Sequence, residues 1–234
     1  MKHRQFTTKG IILARTDFGE ADRILTFLTP DHGKVQAIAK SVRKSQSKLA
    51  GGIELFSVSD LTLIVGRGEI NTLISSRLVR HCGNIVKDLG RTKLAYEFLR
   101  VINKATEDKP EEAYFKLLGG SLEALDDLEL EPELTALWFD MQLLKLAGHM
   151  PNLRTDSYGA KLTKVKSYSI DLEKMRFEPR PQGTGSFTAN DIKFLRLGFS
   201  ASKPQTIHRI NGADKVAVVC QPLIQTMLKS HVRT

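Results

Sequence analysis

Cysteine is scarce: Cys82 and Cys220 are the only two in 234 residues, far apart and neither within a CxxC pair. That excludes a disulfide framework and a cysteine-based metal site, and leaves both as candidate buried hydrophobes. Long apolar runs are missing too. No stretch approaches the roughly 18 residues needed to span a bilayer, so a membrane protein is not expected. The basic start MKHRQFTTKGIILART lacks the apolar core and small-residue cleavage site of a secretory signal, which makes the cytoplasm the expected location. The motifs GxxxxGK[ST], HExxH and GxSxG do not occur, and Gly183-Thr184-Gly185 is too short to cradle a phosphate. The six histidines lack ligand spacing. These absences predict a protein that is not an enzyme, with no metal and no cofactor.

Positive charge is present in excess. Lys and Arg number 35 against 26 Asp and Glu, a net +9, and the isoelectric point of about 9.6 brings nucleic acid into consideration. The excess is uneven: residues 1–80 carry +6, residues 81–150 carry −5 and residues 151–234 carry +8. Two basic regions flanking an acidic one suggest separate jobs along the chain, although a charged surface without a partner fits the composition as well.

Hydrophobic periodicity divides the chain. Segments 8–16, 23–29, 34–40, 56–65 and 70–78 are short, rich in β-branched residues and separated by turns such as Pro30-Asp31-His32-Gly33 and Gly66-Arg67-Gly68. Five strands in about eighty residues suit an OB-like barrel, a fold that commonly binds single strands. After Arg80 the period becomes helical, with Leu94, Phe98, Val101 and Ile102 on one face. Further helices are expected over 111–125, from Pro132 to Gly148, over 189–197 and over 215–231. Lys145 falls just off the apolar face of the Pro132 helix and reads as solvated. Residues 151–188 lose periodicity and gather Pro, Gly, Lys and Ser, as an inserted subdomain or long loop would. The expected fold class is therefore α+β: a five-stranded OB-like barrel over 1–80 and a helical domain over 81–234 with an insertion at 151–188.

The sharpest local feature is residues 40–48, KSVRKSQSK, four cations and no acid between two predicted strands. Lys40, Arg43, Lys44 and Lys48 can neutralise successive phosphates while serine hydroxyls bond the same oxygens, giving sequence-tolerant, salt-dependent affinity. Arg15, Lys34 and Arg67 are candidates in support. A solvated basic loop is the plainer alternative. Phe18, Phe27 and Phe56 could stack on bases, but their strand-like settings favour core packing. The acidic cluster Asp126, Asp127, Glu129, Glu131 and Glu133 could suggest metal-dependent nuclease chemistry; consecutive carboxylates at a helix junction diverge, which favours a solvated turn.

The segment KGIILARTDFGEADRILTFLTPDHGKVQAIAKSVRKSQSKL resembles the start of the RecO family of bacterial recombination mediators. The resemblance rests on the strand leading into Phe18-Gly19-Glu20-Ala21-Asp22, on Leu28-Thr29 before Gly33, and on the basic loop from Ala39 to Ser45. It implies an OB barrel, a helical domain, binding of single- and double-stranded DNA, strand annealing and help in loading RecA onto DNA coated by single-strand-binding protein. RecR and the acidic C-terminal tail of single-strand-binding protein are the implied partners. Many members carry a four-cysteine zinc module beginning CxxCG; here the segment reads Thr155-Asp156-Ser157-Tyr158-Gly159, which predicts a metal-free version of that module. An RNA-binding or ribosome-associated OB protein is the rival reading.

Overall fold

In residues 57–64, SVSDLTLI, every second side chain is apolar or small, and each of these faces inward in a strand whose burial alternates without a break. The computed structural model describes residues 4–66, 68–106 and 112–232. Strands β1 (Gln5–Phe18), β2 (Asp22–Thr29), β3 (Gly33–Ala39), β4 (Ser57–Ile64) and β5 (Ile70–His81) close a barrel in the order β1-β2-β3-β5-β4. Closure depends on β1, which pairs with β4 through its first half and with β2 through its second, an irregularity between Ile12 and Ala14 letting it bend from one partner to the other. Among the described residues of the barrel only the contact of β3 with β5 is parallel. Leu25, Phe27, Ala37, Leu61, Leu63 and Leu73 fill the interior. The turn after β2 is held by Thr29, whose hydroxyl donates to Gly33 O at 2.9 Å and accepts His32 N at 3.0 Å. Its last residue, Gly33, has φ +66°, a region that glycine enters without steric cost.

Helices α1 (Leu89–Ala105) and α2 (Glu112–Asp126) follow the barrel. Asp88 caps α1 by accepting Arg91 N at 2.8 Å. Arg91 is itself buried, and its guanidinium donates to Leu125 O at 2.8 Å and Asp127 O at 2.9 Å, so a cation satisfies carbonyls at the end of α2. By packing the chain divides into two units, residues 1–128 and 129–233. The expected boundary at residue 80 falls inside the first, because α1 packs on β1 and α2 on β2.

The second unit holds α3 (Pro132–Leu146), α4 (Ala189–Ser200), α5 (Gln205–His208) and α6 (Ala213–His231), with a four-stranded sheet of β6 (Asn152–Asp156), β7 (Ser167–Asp171), β8 (Arg176–Arg180) and β9 (Phe187–Thr188) in the order β6-β8-β7-β9. Part of the stretch 151–188, expected to be an inserted subdomain or a long loop, is thus sheet. Its strands escape notice because β7 (SYSID) and β8 (RFEPR) are five-residue segments, each with one large inward aromatic, Tyr168 and Phe177, among polar neighbours. Thr188 and Asp191 form a capping box at the start of α4. Lys145, expected in solvent, is exposed yet donates to Phe199 O at 3.0 Å near the end of α4.

Candidate nucleic-acid interface

One end of the barrel gathers cations through strand register. Asp17 on β1 lies opposite Arg23 on β2, and Arg23 lies opposite Ala39, the last residue of β3 before the basic loop. Three strand ends therefore bring Arg15, Arg23 and residues 40–44 together. Arg23 Nε donates to Asp17 at 2.7 Å and Arg43 Nε approaches the other carboxylate oxygen at 3.6 Å. The hydrogen bond from Arg23 holds the Asp17 carboxyl below its ordinary value against a desolvation effect of opposite sign, with the charges of Arg43, Arg23 and Arg15 adding to the depression.

The loop is fastened at several points. Ser41 has φ +53°, unusual for a residue with a side chain, and its N–H is held by the Asp22 carboxylate at 2.7 Å. Arg43 N donates to Ala21 O at 3.0 Å, and Lys44 N and Ser47 N close successive turns onto Ser41 O and Lys44 O. Val42, at 5% exposure, belongs to the barrel core cluster. A hydrophobic pin and a carboxylate clip thus hold a loop whose Lys40, Arg43, Lys44 and Lys48 side chains all face solvent. The backbone that carries these cations is thus held in place, which would reduce the ordering cost of binding an anion there.

Of the supporting candidates, Arg15 joins this end and Lys34 does not. Lys34 Nζ donates to Asn103 O at 3.0 Å, where it ties β3 to the last turn of α1. Arg67 lies outside the described residues. Among the aromatics, Phe27 and Phe56 are buried as expected, whereas Phe18 is 52% exposed at the end of β1, opposite Asp22. The core role expected for Phe18 is therefore wrong: at the end of β1 its ring lies outside the barrel core. Arg23 was missed, since only the β1–β2 register sets it against Asp17. A second charged group, Lys9 and Arg77 about Asp60, spans adjacent strands of the barrel wall, at 2.9 and 2.7 Å, two cations sharing one carboxylate.

The family model described as Recombination protein O N terminal matches residues 1–81, and that described as Recombination protein O C terminal matches residues 86–233. The chain belongs to the RecO family. A DNA repair protein RecO from a Roseiflexus species is 34% identical over 242 aligned positions, all of this chain and 82% of that protein. One from a Thermoanaerobacter species is 28% identical over 98% of this chain and 93% of its own length. One from Dehalococcoides mccartyi is 39% identical over 154 residues, 65% of this chain and 60% of that protein. The two matched RecO regions adjoin between residues 81 and 86, where the sequence passes from strand to helix texture.

In this RecO chain the segment that aligns in pattern with a CxxCG motif has no soft ligand to offer zinc. Thr155 Oγ1 accepts from Asn152 Nδ2 at 2.9 Å, and Tyr158 is 85% exposed. What organises the turn is Asp156, buried, whose carboxylate accepts Tyr158 N at 3.0 Å and Ala160 N at 2.9 Å. Among the described residues no group of three His, Cys, Asp or Glu side chains is disposed to hold a metal ion. In the acidic cluster Asp126 is engaged structurally, accepting Asn84 N at 2.6 Å. No described helix is long and apolar enough to cross a membrane.

Proposed function

We propose that this chain acts in DNA repair and homologous recombination as a mediator that binds single- and double-stranded DNA in the cytoplasm and anneals complementary strands. In this reading it assists loading of RecA onto DNA coated by single-strand-binding protein, with RecR and that protein's acidic C-terminal tail as partners. The reading draws on family membership for its partners and on the barrel end for its mechanism. The observation that carries it is the fastened basic loop, with Lys40, Arg43 and Lys44 at the strand ends that hold Arg15 and Arg23, and with Phe18 exposed at the end of β1.

Annealing is not a covalent reaction and asks for no nucleophile or general acid. Two phosphate backbones must approach while their repulsion is screened and their bases stay free to pair. Exposed Lys and Arg side chains grip phosphates and leave base edges untouched. An aromatic ring at the margin stacks on a base irrespective of sequence. The chain is accordingly proposed to work without enzymatic turnover, metal or cofactor.

The test is annealing of complementary oligonucleotides coated with single-strand-binding protein, comparing the unmodified chain with a Lys40→Ala, Arg43→Ala, Lys44→Ala, Lys48→Ala variant. The unmodified chain is expected to accelerate annealing and the folded variant to lose the acceleration. For duplex binding, the slope of log affinity against log salt is expected to fall by about three to four units, near 0.9 for each phosphate contact. Absence of acceleration by the unmodified chain, or a preference for structured RNA over single-stranded DNA, would overturn the reading.

A further inference from the structure

The second unit contains a concentration of positive charge that the barrel interface does not use. Arg154 on β6, Lys161 and Lys164 in the connection to β7, and Lys193 and Arg196 on α4 line a groove of about 440 Å³, with Leu153, Leu162 and Ala189 on its apolar surface. Among the described residues no acidic side chain lines it. All five cations are exposed, and among the described residues none of the five side chains makes a hydrogen bond or ion pair. The barrel end differs, since Asp17 there engages Arg23 and Arg43. Five uncompensated like charges around one concavity repel one another, a cost that an anionic ligand relieves.

The geometry narrows the ligand. Lys193 and Arg196 are three residues apart on α4, so they stand on one face about 4.5 Å apart along the axis. Lys161 forms an isolated bridge with Thr155 across the turn that carries Tyr158 at its tip. That turn is rigid, because the Asp156 carboxylate and backbone bonds from Asp156 N to Ala160 O and Gly159 N to Asp156 O all close it. The 85% exposed Tyr158 is therefore held three residues from a groove cation with its ring in water. A row of cations accompanied by a rigid exposed aromatic is the arrangement that takes a phosphodiester chain and a stacked base. An acidic peptide would use the charges but leave the ring without a role.

We propose that the second unit bears its own binding site for single-stranded nucleic acid, formed by Arg154, Lys161, Lys164, Lys193 and Arg196 with Tyr158 as stacking platform. The inference rests on the reading that the chain binds DNA, and it makes each molecule bivalent for strands, one segment on the barrel and one in the groove. A bivalent molecule raises the effective concentration of one strand near another, which is what annealing requires.

The experiment uses the full chain and a fluorescein-labelled oligothymidylate titrated over a range of KCl concentrations. Three variants accompany the unmodified protein: Lys161→Ala with Lys193→Ala and Arg196→Ala; Tyr158→Ala; and the barrel-loop quadruple alanine variant. Circular dichroism establishes that each is folded. The triple variant is expected to lower the salt slope by about two, near 0.7 for each single-strand phosphate contact. Tyr158→Ala is expected to weaken binding about tenfold with the slope unchanged. Photocrosslinking to a 4-thiothymidine oligonucleotide is expected to label residues 158–164 even in the barrel-loop variant. If the unmodified chain binds the oligonucleotide but the triple variant matches it in affinity and slope, the groove proposal is wrong while the barrel reading stands. Failure of the unmodified chain to bind any oligonucleotide overturns both. If the triple variant loses affinity only for an acidic peptide, the groove is a protein-docking site and the proposal is again overturned.

Discussion

Asp17 is the residue on which the proposed barrel interface turns. Among the described residues it is the single acid in ion-pair contact with the basic end, and its carboxylate engages two of the guanidiniums there. Replacing it, Asp17→Asn, removes a repulsive charge and releases Arg43. Oligonucleotide affinity at low salt is expected to rise by about two- to fivefold, the range of an exposed charge pair, and the gain to vanish at high salt; fluorescence anisotropy across a salt series checks this. The cysteines give a prediction of another kind. Burial pushes the thiols of Cys82 and Cys220 from 9.0 up to about 12. A folded state that resists losing a proton binds more protons than the unfolded chain between those values. The contribution to stability is therefore complete below about pH 9 and is lost as pH rises toward 12. Urea unfolding midpoints between pH 8 and 11 are expected to fall more steeply for this chain than for a Cys82→Ala, Cys220→Ala variant, and thiol reagents to react only on unfolding.

At the scale of elements, what matters is how closely neighbouring backbones approach. In the small sheet of the second unit, a Cβ at Gly185 would lie 2.5 Å from Tyr168 N and 2.7 Å from Tyr168 C and O, so the backbone beside β7 admits no side chain there. Gly185 N also donates to Ser167 Oγ at 2.8 Å, and that hydroxyl in turn reaches Pro181 O at 2.6 Å. Gly185→Ala is expected to cost about 2 to 3 kcal/mol by forcing backbone apart, read as a lowered urea midpoint with an unchanged slope. On the barrel, the loop and the β1–β2 turn form one element functionally. Val42 in the core and Asp22 on Ser41 N fasten a segment that composition alone marks as mobile and solvated. The strand pattern was legible because alternation in 57–64 and 33–39 survives intact in the burial of β4 and β3. The four short strands between 152 and 188 were not, because β7 and β8 carry one inward aromatic each, β6 has none and β9 is two residues long, which leaves no period to detect.

Across the whole molecule, the net +9 combines basic first and last regions with an acidic stretch over residues 81–150; the basic regions include the barrel end, partly balanced by its own acid, and the groove in the second unit, with no acid among its described lining residues. Both favour the folded state when an anion is bound, since the unfolded chain cannot assemble either. Oligothymidylate at about 100 times its dissociation constant is expected to raise unfolding free energy by about 2.7 kcal/mol per site. Scanning calorimetry with and without the oligonucleotide checks this, and no shift in the barrel-loop quadruple variant combined with the groove triple variant would locate the binding energy in these two places.

The sequence by itself determined the barrel and most of the helices, since period-2 and period-3.6 burial patterns are local and need no knowledge of neighbours. It also determined the loop cations and the want of thiolates at Thr155 and Tyr158, because composition is a property of position alone. Tertiary structure decided what those residues face. Lys34 became a tie to Asn103, Phe18 an exposed ring and Arg23 a partner of Asp17. Arg154, Lys161, Lys164, Lys193 and Arg196 became one groove although more than forty residues separate the first from the last. Register, strand ends and the return of the chain between distant segments set these relations, and a one-dimensional pattern carries none of them.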